Sequence, residues 1–277
     1  MADRLDALLG NFPVRATVSH TGNICGIHEL PAEGTLGQLH LIKRGTVVVH
    51  HAAGKPITID TPSLLLYPRP CDHRFVVEGE DGADLACAAL GFESAAENPL
   101  VSALPTYLCL PLEQLVGTRP LLDLLFEEAF EQRCGRREVL ARLFELVLIQ
   151  VLRHQMESAQ LQSGLMAGLA HPRLRRSIVA MHERPRDEWT LEASAAVAGM
   201  SRSSFAQTFR TTVGCTPGEY LQRWRILLVQ KGLRGGKPLK VLVDAVGYAS
   251  ESALSRAFKV QAGVTPREWR RAHVRAA

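Results

Sequence analysis

Residues 199–269 carry one helical unit written twice. The first copy reads GMSRSSFAQTFRTTVGCTPGEY, from Gly199 to Tyr220, and the second reads GYASESALSRAFKVQAGVTPREW, from Gly247 to Trp269. From Ser201 onward the copies align at an offset of 49 residues: Ser201 with Ser250, Phe205 with Leu254, Phe209 with Phe258, Gly214 with Gly263, and Thr216-Pro217 with Thr265-Pro266. Upstream the offset is 48, so the second turn holds one extra residue. An internal repeat constrains architecture before any residue-level argument. Two copies are too few for a solenoid and fit two like modules held side by side.

The charge is divided as sharply as the pattern. Residues 1–172 hold 13 Lys and Arg against 20 Asp and Glu, while residues 173–277 hold 19 against 8. The overall net charge of +4 hides this split. A basic region joined to an acidic one points to a polyanionic partner for the basic half. No apolar run reaches the ~18–20 residues that span a bilayer. The start, MADRLDALLGNFPVR, lacks the basic-then-apolar order of a signal peptide, which predicts a cytoplasmic chain without membrane contact.

The 277 residues suffice for two domains. Residues 34–93 read as short strands, LHLIKRGTVVVHH, PITID, LLLYP, HRFVVEG and DLACAALGFE, broken by Gly, Pro and Asp-Gly turns. Such spacing predicts a small antiparallel barrel or jelly roll. From Pro120 the apolar period becomes helical, first to Gly135 and then through Val139, Leu143, Val147 and Val151. That second stripe is wide enough to pair with another copy of the chain. The expected fold is therefore α+β in two domains. A β-barrel with two following helices occupies 1–160, a linker 161–172, and an all-α domain 173–277.

Each copy of the repeat predicts a short helix, a turn with glycine and a second helix capped by serine, the helix-turn-helix layout. In each second helix one face is apolar. The other carries Arg202, Ser203, Gln207 and Arg210 in the first copy, and Glu251, Ser252, Arg256 and Lys259 in the second. Arg pairs with guanine, Gln with adenine, and a carboxylate accepts from cytosine. The intervening PGEYLQRWRILLVQKGLR predicts a helix about 27 Å long at ~1.5 Å per residue. Successive major grooves facing one side of B-DNA lie ~34 Å apart.

GMSRSSFAQTF, GCTPGEYLQRWRI, AVGYASESALSRAFK and GVTPREWR closely resemble the AraC/XylS family of transcription regulators, over about residues 183–271. The resemblance implies that the second helix of each unit reads a major groove, through the eight residues just named. It also implies double-stranded promoter DNA and RNA polymerase as partners, and no enzymatic activity. Val243 departs from the family, which usually has alanine there.

The resemblance makes the acidic half a sensor, and its strand pattern is similar to cupin domains. Cys25, His28, His40, His50, His51, Cys71, His73 and Cys87 concentrate soft ligands in it. Cys25, His40, His73 and Cys87 are the candidates for zinc or another divalent metal. The six cysteines show no CxxC spacing. CDHRF and the Cys87 strand are also similar to the activators that respond to reactive chlorine species, which implies redox sensing by Cys87, Cys71 and Cys25. The alternative from another class is a metal-dependent cupin enzyme fused to a DNA-binding tail.

Overall fold

The computed structural model describes residues 3–52, 54–93, 97–158 and 163–274. The chain divides into two compact units. One is Phe12–Glu157. The other joins the residues up to Asn11 with those from Ser158 onward.

The first unit is a double antiparallel sheet. Its strands are β1 (Val14–Ile24), β2 (Gly26–Leu30), β3 (Gly37–Arg44), β4 (Val47–His51), β5 (Ile57–Ile59), β6 (Ser63–Tyr67), β7 (His73–Val77), β8 (Ala83–Phe92) and β9 (Leu108–Pro111). One sheet has the order β1-β8-β3-β6-β9 and the other β2-β7-β4-β5. Apolar side chains from both meet inside: Ile42, Val49, Leu65, Phe75 and Leu85 are all buried there. Alternation along β7 follows the pleat, with His73, Phe75 and Val77 buried and Arg74 exposed. After the short helix α2 (Pro99–Ala103) come α3 (Arg119–Phe130) and α4 (Arg136–Glu157), which pack together and against β1. Glu145 accepts from the Ala16 amide at 3.2 Å, fixing α4 on that strand. The antiparallel barrel and its two helices are as the strand pattern predicts. The strands β1, β2 and β9 lie outside the predicted range of 34–93.

The second unit is all helical. It contains α1 (Asp6–Asn11), α5 (Leu165–Ala170), α6 (Leu174–Glu183), α7 (Leu191–Ala198), α8 (Arg202–Val213), α9 (Pro217–Arg234), α10 (Leu239–Val246), α11 (Glu251–Ala262) and α12 (Pro266–Val274). Two features depart from expectation. The segment 161–172, expected to link the domains, carries α5, which buries Met166 and Leu169 and packs on α6 and α8. Residues 161 and 162 lie outside the described residues. Polar residues and glycines mark this segment as a linker in the sequence, but its apolar Met166 and Leu169 give α5 a face to bury. Gly168 in fact permits close packing, for a Cβ there would come within 2.7 Å of Ile178 Cδ1. The N-terminal α1 also belongs to this unit. It packs on α6, and Lys231 Nζ donates to Gly10 O and to Asn11 Oδ1, each at 3.3 Å.

The repeat is reproduced element by element. Helices α7 and α10 each hold 8 residues, and α8 and α11 each hold 12. Ser201 accepts from the Ser204 amide at 3.3 Å, and Ser250 from the Ala253 amide at 3.2 Å. Both copies close with a capping box: Thr216 N donates to Glu219 Oε2, and Thr265 N to Glu268 Oε2, each at 2.8 Å. The turns differ in tightness. Gly199 and Gly247 both adopt left-handed φ, of 65° and 75°. A Cβ on Gly199 would meet nothing nearer than Arg176 Nη1 at 4.0 Å, whereas one on Gly247 would lie 2.2 Å from Arg186 O. Replacing Gly199 with Ala should cost roughly 1–2 kcal/mol for the left-handed backbone alone. Replacing Gly247 with Ala should cost about 1–3 kcal/mol more, the range for forcing atoms into occupied space. Urea unfolding of the two full-length variants checks this, and equal losses would refute the second term.

Candidate functional site

All eight side chains predicted to face a partner are exposed: Arg202, Ser203, Gln207 and Arg210 on α8, and Glu251, Ser252, Arg256 and Lys259 on α11. The opposite faces are buried completely, with Phe205 and Phe209 under α8 and Leu254 and Phe258 under α11. Spacing at i, i+4 puts each pair on one stripe, so burial of that stripe leaves the polar one outward. Below α8, Phe209 meets Tyr220 edge-on at 5.6 Å, and Trp224 stacks on His182 at 4.0 Å. Burial holds His182 far below its ordinary value, at about 3, so this support is neutral at physiological pH. Gln207 and Arg210 also line a cavity of about 560 Å³ with Trp189, Thr190, Leu191 and Pro217.

One partner escaped the sequence reading. Arg202 Nη1 lies 2.5 Å from Glu192 Oε1, in the first turn of α7. Hydrogen bonding to Arg202 lowers the Glu192 carboxyl and raises the guanidinium in turn. The two residues are ten apart, beyond the helical spacings from which pairs are ordinarily inferred.

The interior of the double sheet brings some of the sensor candidates together and separates others. His40 on β3 and His73 on β7 face each other across the two sheets, Nε2 to Nε2 at 3.0 Å. His73 Nδ1 lies 3.0 Å from Cys71 O. A carbonyl only accepts, so Nδ1 carries the proton and His73 presents a lone pair at Nε2. His40 then donates from its own Nε2. Burial holds both imidazoles below their ordinary value, with His73 pushing His40 further down and the Cys71 bond opposing the shift at His73. Tyr67 and Phe75 enclose the pair, at 4.6 Å from the His73 ring and 5.0 Å from the His40 ring. His51 stands 4.7 Å from the Tyr107 ring on the same side. Among the described residues, His40 Nδ1 and Tyr67 Oη have no hydrogen-bond partner.

The four proposed metal ligands do not assemble. Cys87 occupies the same ladder row as His40 and is buried. Cys25 is exposed, and its Sγ lies 3.6 Å from Asn23 Oδ1. Asn23 pairs with Asp84, three rows from Cys87, which at ~3.3 Å per residue puts Cys25 more than about 10 Å along the sheet. Among the described residues no three His, Cys, Asp or Glu side chains are grouped to hold a metal ion. His28 sits with Cys25, bonding its carbonyl at 2.9 Å, and His50 takes no place in the ring cluster described. The redox candidates separate as well. Burial pushes the Cys87 thiol up to about 12, so it is neutral. Cys25 is exposed and Cys71 half-buried. Cys109, absent from the predicted set, packs against the same interior from β9.

Comparison with known proteins joins these two halves. Residues 3–157 match the Cupin family and residues 194–272 the Helix-turn-helix domain family. A putative AraC-like transcription regulator of Streptomyces antibioticus is 36% identical over 195 residues, 69% of this chain and 64% of that protein. The chain thus spans somewhat under two thirds of that relative's length. The RCS-specific HTH-type transcriptional activator RclR of Escherichia coli is 28% identical over 235 residues, 83% of each chain. The HTH-type transcriptional regulator AlkR of Acinetobacter baylyi is 31% identical over 62% of this chain and 58% of its own. With more than half of its length matching the Cupin family and the duplicated helix-turn-helix behind it, the chain belongs to the AraC-type regulators that carry an N-terminal cupin domain.

Proposed function

We propose that the protein is a sequence-specific transcription regulator that binds double-stranded promoter DNA in the cytoplasm and acts as a homodimer with RNA polymerase. The observation that carries this is the pair of matched reading helices, each with four exposed polar side chains over a fully buried stripe. Among the described residues no helix is long and apolar enough to cross a membrane. DNA reading is assigned to the helical unit and sensing to Phe12–Glu157.

The sensed signal is proposed to be oxidative. The relative RclR is described as RCS-specific, and three cysteines lie in or beside the sheet interior. The thiolate is the reactive form. Cys87, with its thiol near 12, is therefore not where oxidant enters; Cys71, packed against the same interior, and the exposed Cys25 are. The enzyme alternative asks for metal ligands around an open position. The His40–His73 pair by itself does not supply that set.

Two measurements test this. Full-length protein titrated with duplex DNA should bind with log K falling linearly in log salt, at roughly −0.9 per phosphate contacted. No binding at about 50 mM salt would sink the regulator reading. In the same assay Arg256→Ala should lose about 1–3 kcal/mol and relax preference at one base position. A loss equal on all sequences would move Arg256 to a phosphate. Separately, iodoacetamide on the native protein should modify Cys25 and Cys134 first and Cys87 only after unfolding. Early labelling of Cys87 would return it to the place where oxidant enters.

A further inference from the structure

The two helix-turn-helix copies differ at one pair of positions in a way that neither copy shows alone. In the first copy the reading helix α8 begins with Arg202, and this cation is bound by Glu192, the second residue of α7, at 2.5 Å. Helices α7 and α10 align at an offset of 48, and α8 and α11 at 49. Glu192 therefore corresponds to Lys240, and Arg202 to Glu251. The two positions carry opposite charges in each copy, and the signs are reversed between the copies.

The helix macrodipole distinguishes the two reading helices. A cation at the start of a helix stands against the positive end of that helix, at a cost typical of a terminal charge. Arg202 is the first residue of α8, and the anion that offsets this sits on the neighbouring helix. In the second copy Glu251 suits the start of α11. Lys240 in turn opposes the positive end of α10, so the charge reversal moves the unfavourable cation from the reading helix to its neighbour. Fold stability alone does not ask for Arg202 at that position. Base reading does, since an Arg held in the major groove pairs in bidentate fashion with guanine.

We propose that Glu192 is a positioning residue for DNA recognition, offsetting and orienting Arg202, the charged first residue of the reading helix α8. The proposal rests on the DNA-reading function above. In the free protein Glu192 neutralises Arg202 and aims its guanidinium. Near DNA the carboxylate repels phosphate, so Arg202 gains little from a phosphate contact. The two aligned acceptors of guanine, O6 and N7, match the flat guanidinium fork and carry no net charge for the carboxylate to repel, whereas phosphate does. Glu192 thereby converts a general cation into a selective one. In the second copy Glu251, at the place of Arg202, accepts from an exocyclic amine. One subunit then reads an acceptor-rich edge with its first head and a donor edge with its second.

The test uses the full chain and a duplex library randomised over the binding footprint, with bound sequences recovered and counted. Wild-type protein must first enrich a defined sequence; a failure there falls on the regulator reading and not on this proposal. Glu192→Gln should then tighten binding to unselected duplex by about threefold or more, while the preference for guanine at one position weakens. The reversal Glu192→Lys with Arg202→Glu, which gives the first copy the charges of the second, should fold. It should also replace guanine at that one position and leave the other positions unchanged. Thermal unfolding of both variants separates a structural role from a positioning one. Loss of affinity equal on all sequences, or an unchanged guanine preference in either folded variant, would overturn the proposal.

Discussion

The helical unit depends on α9, an unbroken helix of 18 residues against which both reading heads pack. At ~1.5 Å per residue it is about 27 Å long. The first head is held at its N-terminal half, where Tyr220 and Trp224 meet Phe209 and His182. The second is held at the other end, where Val229 and Leu233 join Leu242, Leu254, Phe258 and Trp269 in one cluster. Gly232 brings that cluster close, since a Cβ there would stand 2.3 Å from Leu242 Cδ2. Between the two halves Arg225 acts as a clasp. Its Nε donates to Pro185 O at 2.7 Å and its Nη2 to Asp187 O at 2.9 Å, while its guanidinium lies 5.7 Å from the Tyr248 ring. The loop before the first head and the turn of the second are thus tied to the same side chain.

What the sequence revealed follows from how strongly burial marks each element. The repeat was legible because caps, buried aromatics and left-handed glycines recur at fixed offsets. The central strands were legible because both their faces are covered, as in β6, where all five residues are buried. The strands β1 and β9 escaped because they are the two edges of their sheet. An edge strand needs fewer apolar residues and tolerates proline. Only Ala16 and Ile24 of β1 are buried, and β9 is LCLP with no residue fully enclosed. The home of α1 was invisible for another reason: its short DALLGN pattern reports an apolar face without saying which unit receives it.

The sensor interior shows the same limit at the level of side chains. His40, His73 and Cys87 were recognised as inward candidates, and all three are buried. Their partners depended on register. A ladder row places Cys87 beside His20 and His40, while the crossing of the two sheets places His40 against His73. Neither follows from spacing along the chain. Cys25 failed as a member because three ladder rows separate Asn23 from that row, a distance that the strand pattern could not convey without β1. The resulting arrangement is two neutral imidazoles linking the sheets, with a tautomer fixed by one backbone carbonyl. Protonation of His73 at Nε2 would set two donors against each other. The link between the sheets in this tautomer therefore needs His73 to stay unprotonated at Nε2.

The duplication separates two kinds of position within one domain. Those that hold the fold are kept between the copies: the capping serines, the aromatic or aliphatic pair beneath each reading helix, the left-handed glycines and the Thr-Pro-x-Glu boxes. Of those that face outward, the serine is kept and the other three have changed, from Arg, Gln and Arg to Glu, Arg and Lys. Arg and Glu ask opposite things of a base edge, and Gln and Arg ask for different purines. On the proposed reading, a subunit therefore does not recognise the same base pattern twice. It recognises two different patterns in fixed order, because α9 sets both the distance and the direction from one head to the other. An inverted DNA site would present the heads with each other's bases, so the orientation of the site is specified by a single chain before any dimer forms.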